Sequence, residues 1–203
     1  SLLEDSAFDV ASFVGAAAGE RIARGENGYF TTGTGTGQPN GIVTAATLGV
    51  TAASETAITY DELVNLLHSV DPSYRQGPGT GWMCHDALIK LLRKLKDGES
   101  RPIWQSGLID GAPDKLLGFK VVNNQSMASS IAATAKVLLF GALNKYKVRQ
   151  VRNVRLNTMT ERYGEYDQVG FVAFSRVDGD LLDAGTNPVK YLAMSAAATT
   201  TGG

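Results

Sequence analysis

Apolar residues set the first pattern along the chain, and they predict a long amphipathic helix at its start. They recur at steps of three and four, at Leu3, Ala7, Val10, Val14, Ala18 and Ile22. This spacing places them on one stripe of an α-helix, which we expect to run from about residue 5 to about residue 28. Gly15, Gly19 and Gly25 lie inside it, and each weakens an isolated helix by about 1 kcal/mol relative to alanine. The helix therefore needs neighbouring structure to pack against.

Two further helices are indicated by capping residues and apolar spacing. Thr59 and Glu62 form a capping-box pattern ahead of the segment YDELVNLLHSV, and Asp71–Pro72 ends that helix. His85 or Asp86 is expected to cap the next helix. Its apolar residues are Leu88, Leu91, Leu92 and Leu95.

Continuous or alternating apolar segments predict the strands. Short buried strands are expected at Gly81–Cys84, Ile103–Trp104, Leu116–Val122 and Lys136–Gly141. Period-two alternation predicts long antiparallel strands at Tyr146–Val151, Val154–Thr158 and Gln168–Arg176, with Thr160–Asp167 as the hairpin connection. A last strand is expected at Pro188–Met194, whereas residues 44–59 are small and polar and predict a linker or a loosely packed excursion.

A glycine–threonine loop, TTGTGTGQPNGIV, follows the first helix, and it admits two interpretations. Gly33, Gly35 and Gly37 could supply backbone amides to a phosphate, which would make the chain a nucleotide-binding enzyme. A nucleotide-binding glycine motif, however, follows a strand or ends in Gly-Lys-Ser/Thr, and neither feature is present. A tight connector with positive φ at several positions is the favoured interpretation.

Composition and charge point to no chemistry of the common kinds. The chain has 203 residues and a formal net charge of −1, so it has no general basic footprint for nucleic acid. Cys84 is the sole cysteine, and with His68 and His85 it does not make a zinc site. Cys84 and His85 are adjacent in sequence and have no identifiable acid partner, so we expect no catalytic pair. His68 is interpreted as a surface or half-buried helix residue. No catalytic, cofactor-binding or metal-binding residue is assigned.

Three segments resemble the major capsid proteins of tailed phages. The opening LLEDS helix ends near Tyr29–Phe30 and runs into GTGTGQPNGI, similar to the family's spine helix and glycine-rich segment. The helix ending in LKDG and the segment LLGFKVV are similar to parts of the family's axial domain. The resemblance implies an α+β fold of Hong Kong 97 type. It implies a peripheral domain at residues 1–58 and 141–203, comprising the spine helix, long antiparallel strands and a flexible tail, and a mixed α/β axial domain at residues 59–140.

The resemblance also implies a function. The expected protein is a structural shell subunit, not an enzyme, that forms pentamers and hexamers of an icosahedral head around DNA. Expected partners are other copies of the chain, scaffolding protein, portal and packaged DNA by non-specific contact. The expected location is the virion, after synthesis in the host bacterial cytoplasm. No apolar run reaches the ~18 residues of a membrane span, so no membrane partner is expected. An encapsulin-like compartment is the alternative, because it shares the fold.

The chain begins without methionine, and we expect a fragment that lacks the family's N-terminal arm and extended loop. Such a fragment is expected to be monomeric or to form incomplete rings. Some family members seal their shells with a lysine–asparagine bond assisted by a glutamate. Counting back from Arg176 places Asp167 at the asparagine position and Phe174 at the glutamate position. Because neither side chain supplies that chemistry, we predict no autocatalytic crosslink.

Overall fold

A computed structural model describes residues 10–96, 101, 104–105, 114–159, 161–162, 164–166 and 168–196. Within these ranges every helix is too short or too polar to traverse a bilayer. The helices are α1 (Val10–Thr32), α2 (Ile42–Ala45), α3 (Tyr60–Ser69), α4 (Pro72–Arg75) and α5 (Asp86–Lys94). The short strands are β1 (Thr47–Thr51), β2 (Thr80–Cys84), β3 (Trp104–Gln105), β4 (Lys115–Leu116), β5 (Phe119–Asn123) and β6 (Lys136–Ala142). The long strands β7 (Tyr146–Met159) and β8 (Gly170–Leu181) are followed by β9 (Val189–Ala193).

The strands form two sheets of different kinds. A seven-stranded sheet has the order β1-β9-β6-β2-β5-β4-β3, and β7 pairs with β8 alone in a two-stranded ribbon. In the larger sheet β1 runs parallel to β9 and β2 runs parallel to β5, whereas the other neighbours are antiparallel. The mixed sheet lies beside helices α3 and α5, while α1 lies against the ribbon.

The first helix ends later than its apolar spacing predicts. It continues through Tyr29 and Phe30 to Thr32, instead of stopping near residue 28. Thr31 and Thr32 turn their hydroxyl groups back to the carbonyl oxygens four residues earlier, at 2.6 and 3.2 Å. These hydroxyls therefore bond to the backbone of the helix's own last turn. The predicted start near residue 5 lies outside the described residues.

The main core is built on the central strands of the seven-stranded sheet. Trp82 on β2 and Phe140 on β6 are fully buried, with ring centroids 4.3 Å apart. The Trp82 indole N–H donates to the carbonyl oxygen of Leu116 at 2.8 Å, so its polar atom is satisfied inside the core. Leu63 and Leu66 of α3 pack in the same cluster. The predicted buried strands at 81–84 and 136–141 are confirmed, each one residue longer than expected.

Residues 44–59 are not a linker, and that prediction is wrong. They contain the second half of α2 and all of β1, which pairs in parallel with β9 at the edge of the sheet. Small residues suit this position, because a Cβ atom at Gly49 would lie 2.6 Å from Leu66 and 3.1 Å from Lys190. Ala52 follows the strand and is buried. The sheet thus draws strands from all three predicted ranges, 1–58, 59–140 and 141–203, and the division into two domains stays a prediction.

Three other predicted strands have different boundaries in the structure. Leu117 and Gly118 have φ of 49° and 82°, so the segment 116–122 forms a tight hairpin between β4 and β5 instead of one strand. The two segments predicted at 146–151 and 154–158 are one strand, β7, with irregular pairing between Gln150 and Arg155. Extra residues at β-bulges interrupt the alternation without ending the strand.

The β7–β8 ribbon rests on α1 through one face of β8. Ser175 donates a hydrogen bond to Glu26 at 2.5 Å, and a Cβ atom at Gly15 would lie 3.9 Å from Leu156. Leu156 pairs with Ala173 in the ladder. Residues 171, 173 and 175 of β8 therefore share the face towards α1, and residues 172, 174 and 176 share the opposite face.

The capping box of α3 is confirmed, and it supports more than its own helix. Glu62 accepts hydrogen bonds from the backbone amides of Thr59 at 2.8 Å and Ala53 at 2.7 Å, while the Thr59 hydroxyl accepts from the Glu62 amide at 3.4 Å. The side chain is buried. One carboxylate thus joins the start of α3 to the segment after β1.

Replacing Glu62→Ala is expected to lower the free energy of unfolding by about 3 kcal/mol, because two amide donors lose their shared acceptor. Denaturant titration of the purified protein measures the change. Asp61→Ala is the matched control, since Asp61 is an exposed acid in the same first turn and its loss should cost about 0.5 kcal/mol. Equal effects of the two substitutions would contradict this role of Glu62.

Candidate functional site

Several backbone amides of the glycine loop after α1 donate hydrogen bonds to nearby backbone carbonyl oxygens. The Gly33 amide donates to Tyr29 O at 2.8 Å, the Gly35 amide to Pro39 O at 3.2 Å and the Gly41 amide to Gly33 O at 2.9 Å. Thr34 and Asn40 form an antiparallel bridge across the loop. A phosphate cradle needs several unpaired N–H groups that point to one place. The amides of Gly33, Gly35 and Gly41 are already paired, so they do not supply such a cradle.

Two of these glycines are required by close backbone packing. A Cβ atom at Gly33 would lie 2.3 Å from Pro39 O and 2.4 Å from Tyr29 O. A Cβ atom at Gly41 would lie 2.5 Å from Gly33 N. Gly35 and Gly37 have φ of 77° and 70°, which confirms the predicted positive φ and which other residues adopt at a cost. The loop is a tight connector.

Asn40 fastens this loop to the ribbon. Its amide donates to Gly179 O at 2.9 Å, its side-chain Nδ2 donates to Asp180 Oδ1 at 2.9 Å, and its carbonyl oxygen accepts from the Tyr146 hydroxyl at 3.0 Å. Phe30 meets Tyr146 edge to face, with ring centroids 6.3 Å apart. Burial, reinforced by Asp180 and Asp178, raises the pKa of Tyr146 to about 12, so its phenol stays protonated and able to donate at neutral pH. We call this set of contacts the Asn40 junction.

A second polar contact joins α1 to the loop after β5. Asn124 donates from Nδ2 to the Thr31 hydroxyl at 2.8 Å, and its Oδ1 accepts from Asn27 Nδ2 at 2.9 Å. Asn27 also reaches the Ser126 hydroxyl at 2.9 Å, and the Asn124 amide donates to Cys84 O at 2.9 Å. The helix is therefore held to the seven-stranded sheet as well as to the ribbon.

The residues that sequence reasoning weighed for catalysis have structural roles. Cys84 is buried in β2, and burial, with a smaller effect of Asp86, raises the pKa of its thiol to about 12, which leaves it protonated. The Nδ1 atom of His85 accepts from the Ala87 amide at 3.0 Å and caps α5, as predicted. His68 is exposed on α3, with its Nδ1 3.0 Å from Arg75. Among the described residues no cluster of His, Cys, Asp or Glu is placed to hold a metal ion.

The positions matched to the crosslinking residues lie on the ribbon or beside it. Phe174 is 57% exposed and pairs with Arg155 on the face of the ribbon away from α1. Asp167 lies outside the described residues. The absence of an autocatalytic crosslink stays a prediction. Sequence reasoning assigned no role to the exposed surface around Phe174, although the alternation of basic and apolar residues in YKVRQVRNVRL marks it.

Comparison with known proteins finds one family and several solved structures. The model described as the phage capsid family matches residues 1–194. The capsid of an empty GTA particle, computed with C5 symmetry, is 27% identical over 96% of this chain and 69% of that chain, with a TM-score of 0.81. The capsid of the native GTA particle gives the same values. A chain from Microbacterium phage Oxtober96 is 20% identical over 95% of this chain and 68% of that one, with a TM-score of 0.67. No curated protein matches the chain.

These matches confirm the predicted fold, an α+β fold of Hong Kong 97 type. In this fold the long helix is α1, and the long antiparallel strands are β7 and β8. Two sets of polar contacts, one at Asn40 and one at Asn124, help to hold the helix, the ribbon and the sheet together. The candidate functional features are therefore the exposed surfaces of the ribbon and the contacts that support them.

Substituting Gly33→Ala is expected to destabilise the protein by about 3 kcal/mol, because a Cβ atom would press on two backbone carbonyl oxygens that cannot rotate away. Thermal and denaturant unfolding of the purified protein measure the loss. Gly19→Ala is the matched control. Gly19 lies within α1 with nothing within 4 Å of a built Cβ atom, so alanine there should stabilise the helix by up to about 1 kcal/mol. Similar losses for both variants would exclude the close-packing explanation.

Nucleotides are expected to leave the melting temperature unchanged, because the amides of Gly33, Gly35 and Gly41 are paired within the loop. A ligand that binds the folded state alone raises the apparent stability by about 2.7 kcal/mol at a hundred times its dissociation constant. Differential scanning fluorimetry with millimolar ATP, GTP and NAD tests this expectation. A rise that Gly37→Ala abolishes would restore the nucleotide-binding alternative, since that glycine is exposed and has open space around it.

Proposed function

The chain belongs to the phage capsid family, and on that basis we propose that it is the major capsid subunit of a tailed phage or prophage. As a member of that family it is a structural shell protein. The finer proposal is that copies assemble into pentamers and hexamers of an icosahedral head that encloses DNA. The subunit is made in the host bacterial cytoplasm and ends in the virion, and its partners include scaffolding protein and portal.

The observation that carries this proposal is the match to the capsid of a GTA particle. That capsid was computed with C5 symmetry, and it is 27% identical to this chain over 96% of this chain's length. Contacts in a ring of five subunits are heterologous, so two different surfaces of each subunit must complement each other. The shared fold, with a TM-score of 0.81, supports the proposal that this chain forms such a ring.

We propose that the chain forms two domains of the shell subunit, an axial and a peripheral one. The seven-stranded sheet, with β1 and β9 added from the flanking ranges, forms the axial domain around residues 59–140. Helix α1 and the β7–β8 ribbon form the peripheral domain from residues 1–58 and 141–203. The Asn40 junction lies within the peripheral domain, and the contact of Asn27 with Asn124 at 2.9 Å crosses between the two.

Assembly is tested by negative-stain electron microscopy and sedimentation velocity on the purified protein expressed from its complete reading frame. Closed shells, or rings of five and six subunits, are the expected result. A single monomeric species at high concentration would contradict the proposed function.

The contents of the shell separate a phage head from an encapsulin-like compartment. Nuclease-protected DNA in particles purified from the host supports the phage head. Particles that instead hold an enzyme cargo and no protected DNA would replace it with the compartment.

A further inference from the structure

The face of the β7–β8 ribbon that points away from α1 carries exposed cationic and aromatic side chains. Ser175 points to Glu26 of α1, so its neighbours Phe174 and Arg176 point to the opposite face. Arg155 lies directly across the ladder from Phe174. Phe174 is 57% exposed, and both arginines are exposed. We call Arg155, Phe174 and Arg176 the arginine face.

Positive charge on this face is not balanced within the ribbon. Nearer to the Asn40 junction, Lys147 lies across from Asp180 and Arg149 lies across from Asp178, which are favourable cross-strand pairs. Arg155 instead lies across from Phe174. Among the described residues, neither Arg155 nor Arg176 makes an ion pair. The arginine face therefore has unmatched charge around an exposed aromatic ring.

The connection between β7 and β8 carries the complementary groups. Glu161 and Glu165 are exposed, and Tyr166 is 68% exposed. Glu165 and Tyr166 lie in a single 3₁₀ turn, Gly164–Tyr166. We call Glu161, Glu165 and Tyr166 the hairpin tip. The carboxylates of the hairpin tip are opposite in charge to the guanidinium groups of the arginine face, and each site also has an exposed aromatic ring.

The tip cannot reach the arginine face of its own chain. The ladder is continuous out to the pair of Met159 and Gly170, so the ribbon is stiff between the two sites. Residues 155 and 161 are six positions apart, which at ~3.3 Å per residue of strand is roughly 20 Å. The two sets of groups can therefore meet only between different copies.

We propose that the hairpin tip of one copy docks on the arginine face of a second copy. Tyr166 packs on Phe174, while the tip carboxylates of Glu161 and Glu165 pair with Arg155 and Arg176. The contact joins two different surfaces, so it is heterologous and propagates from copy to copy. This inference rests on the proposed function, a shell of many copies, and names a contact within it.

The surroundings of the arginine face favour a protein partner over nucleic acid. Asp178 and Asp180 lie on the same face of β8, across from Arg149 and Lys147, so that part of the ribbon has no unmatched positive charge for the phosphates of a duplex to follow. An exposed phenylalanine between arginines is typical of a protein interface, where aromatic residues and arginine are enriched. The chain's formal net charge of −1 gives no general attraction to a polyanion.

Disulfide trapping tests the contact directly. Tyr166→Cys and Phe174→Cys chains from the complete reading frame are purified separately, mixed, assembled and oxidised mildly. A covalent dimer is expected in the mixture and not in either variant alone. Tyr166→Cys mixed with Leu182→Cys is the control, because Leu182 is 49% exposed but lies just beyond the other end of β8. Cys84 does not compete, because it is buried. Assembled particles in which the first mixture yields no more dimer than the control overturn the contact.

A charge swap provides the second measurement. One variant carries Arg155→Glu and Arg176→Glu, which makes face and tip both acidic. Another carries Glu161→Arg and Glu165→Arg, which makes both basic. Each alone should need an about tenfold or higher concentration to assemble, because like charges meet at the contact, and an equal mixture should recover wild-type assembly. Lys90→Glu with Lys94→Glu reverses as many charges on α5 and should change little.

The outcomes separate this inference from the proposed function. Wild-type protein that stays monomeric overturns both. Wild-type shells whose assembly is unchanged by either double reversal overturn the tip-to-face contact and leave the shell. A gel shift of short duplex DNA that disappears with Arg155→Glu and Arg176→Glu, while assembly is unchanged, assigns the arginine face to nucleic acid and overturns the contact as well.

Discussion

The end of α1 and the end of β8 meet across a loop whose backbone leaves no room for side chains at Gly33 and Gly41. Hydrogen bonds among backbone atoms close this loop on itself, and Asn40 ties it to Gly179 and Asp180. Because these contacts are short and inflexible, they determine the direction in which the chain leaves the helix. The placement of the ribbon against α1 depends on that direction.

A small cluster of buried apolar side chains next to the loop stabilises this arrangement. Ile42 and Val43 follow Gly41 directly and pack with Leu139, Leu181 and Val189, which come from β6, β8 and β9. The cluster therefore joins the ribbon to the seven-stranded sheet, just as the Asn27–Asn124 contact joins the helix to it. Burial of these side chains, at roughly 25 cal/mol per Å² of apolar surface, stabilises the arrangement of the loop, the ribbon and the seven-stranded sheet.

A shell protein depends on surfaces and on the stiffness that holds them, and the described residues fit that requirement. Their polar side chains serve as helix caps, loop ties and cross-strand pairs, as with Glu62, Asn40 and Lys147 opposite Asp180. The arginine face and the hairpin tip differ from these groups because their charges lack partners within the described chain. Charges of that kind set register and suppress wrong contacts more than they add affinity, which suits the proposed contact between the hairpin tip and the arginine face.

Local chemistry allowed much to be predicted from the sequence alone. The capping box at Thr59 and Glu62, the His85 cap, the apolar run of β6 and the glycine-rich segment depend on neighbours a few residues away. The family was identified from the resemblance of three segments to known capsids: the opening helix with its glycine-rich segment, the helix ending in LKDG, and LLGFKVV. The pairing of β1 with β9 and the hydrogen bond from the Asn40 amide to Gly179 O depend on partners far along the chain. The formation of β7 as one strand likewise depends on its pairing with β8. A sequence pattern reports which face of a segment is apolar, but not which distant backbone satisfies its hydrogen bonds. The tertiary structure alone decided those contacts, because in TLGVT the same small and β-branched residues suit either a linker or an edge strand until a partner strand lies beside them.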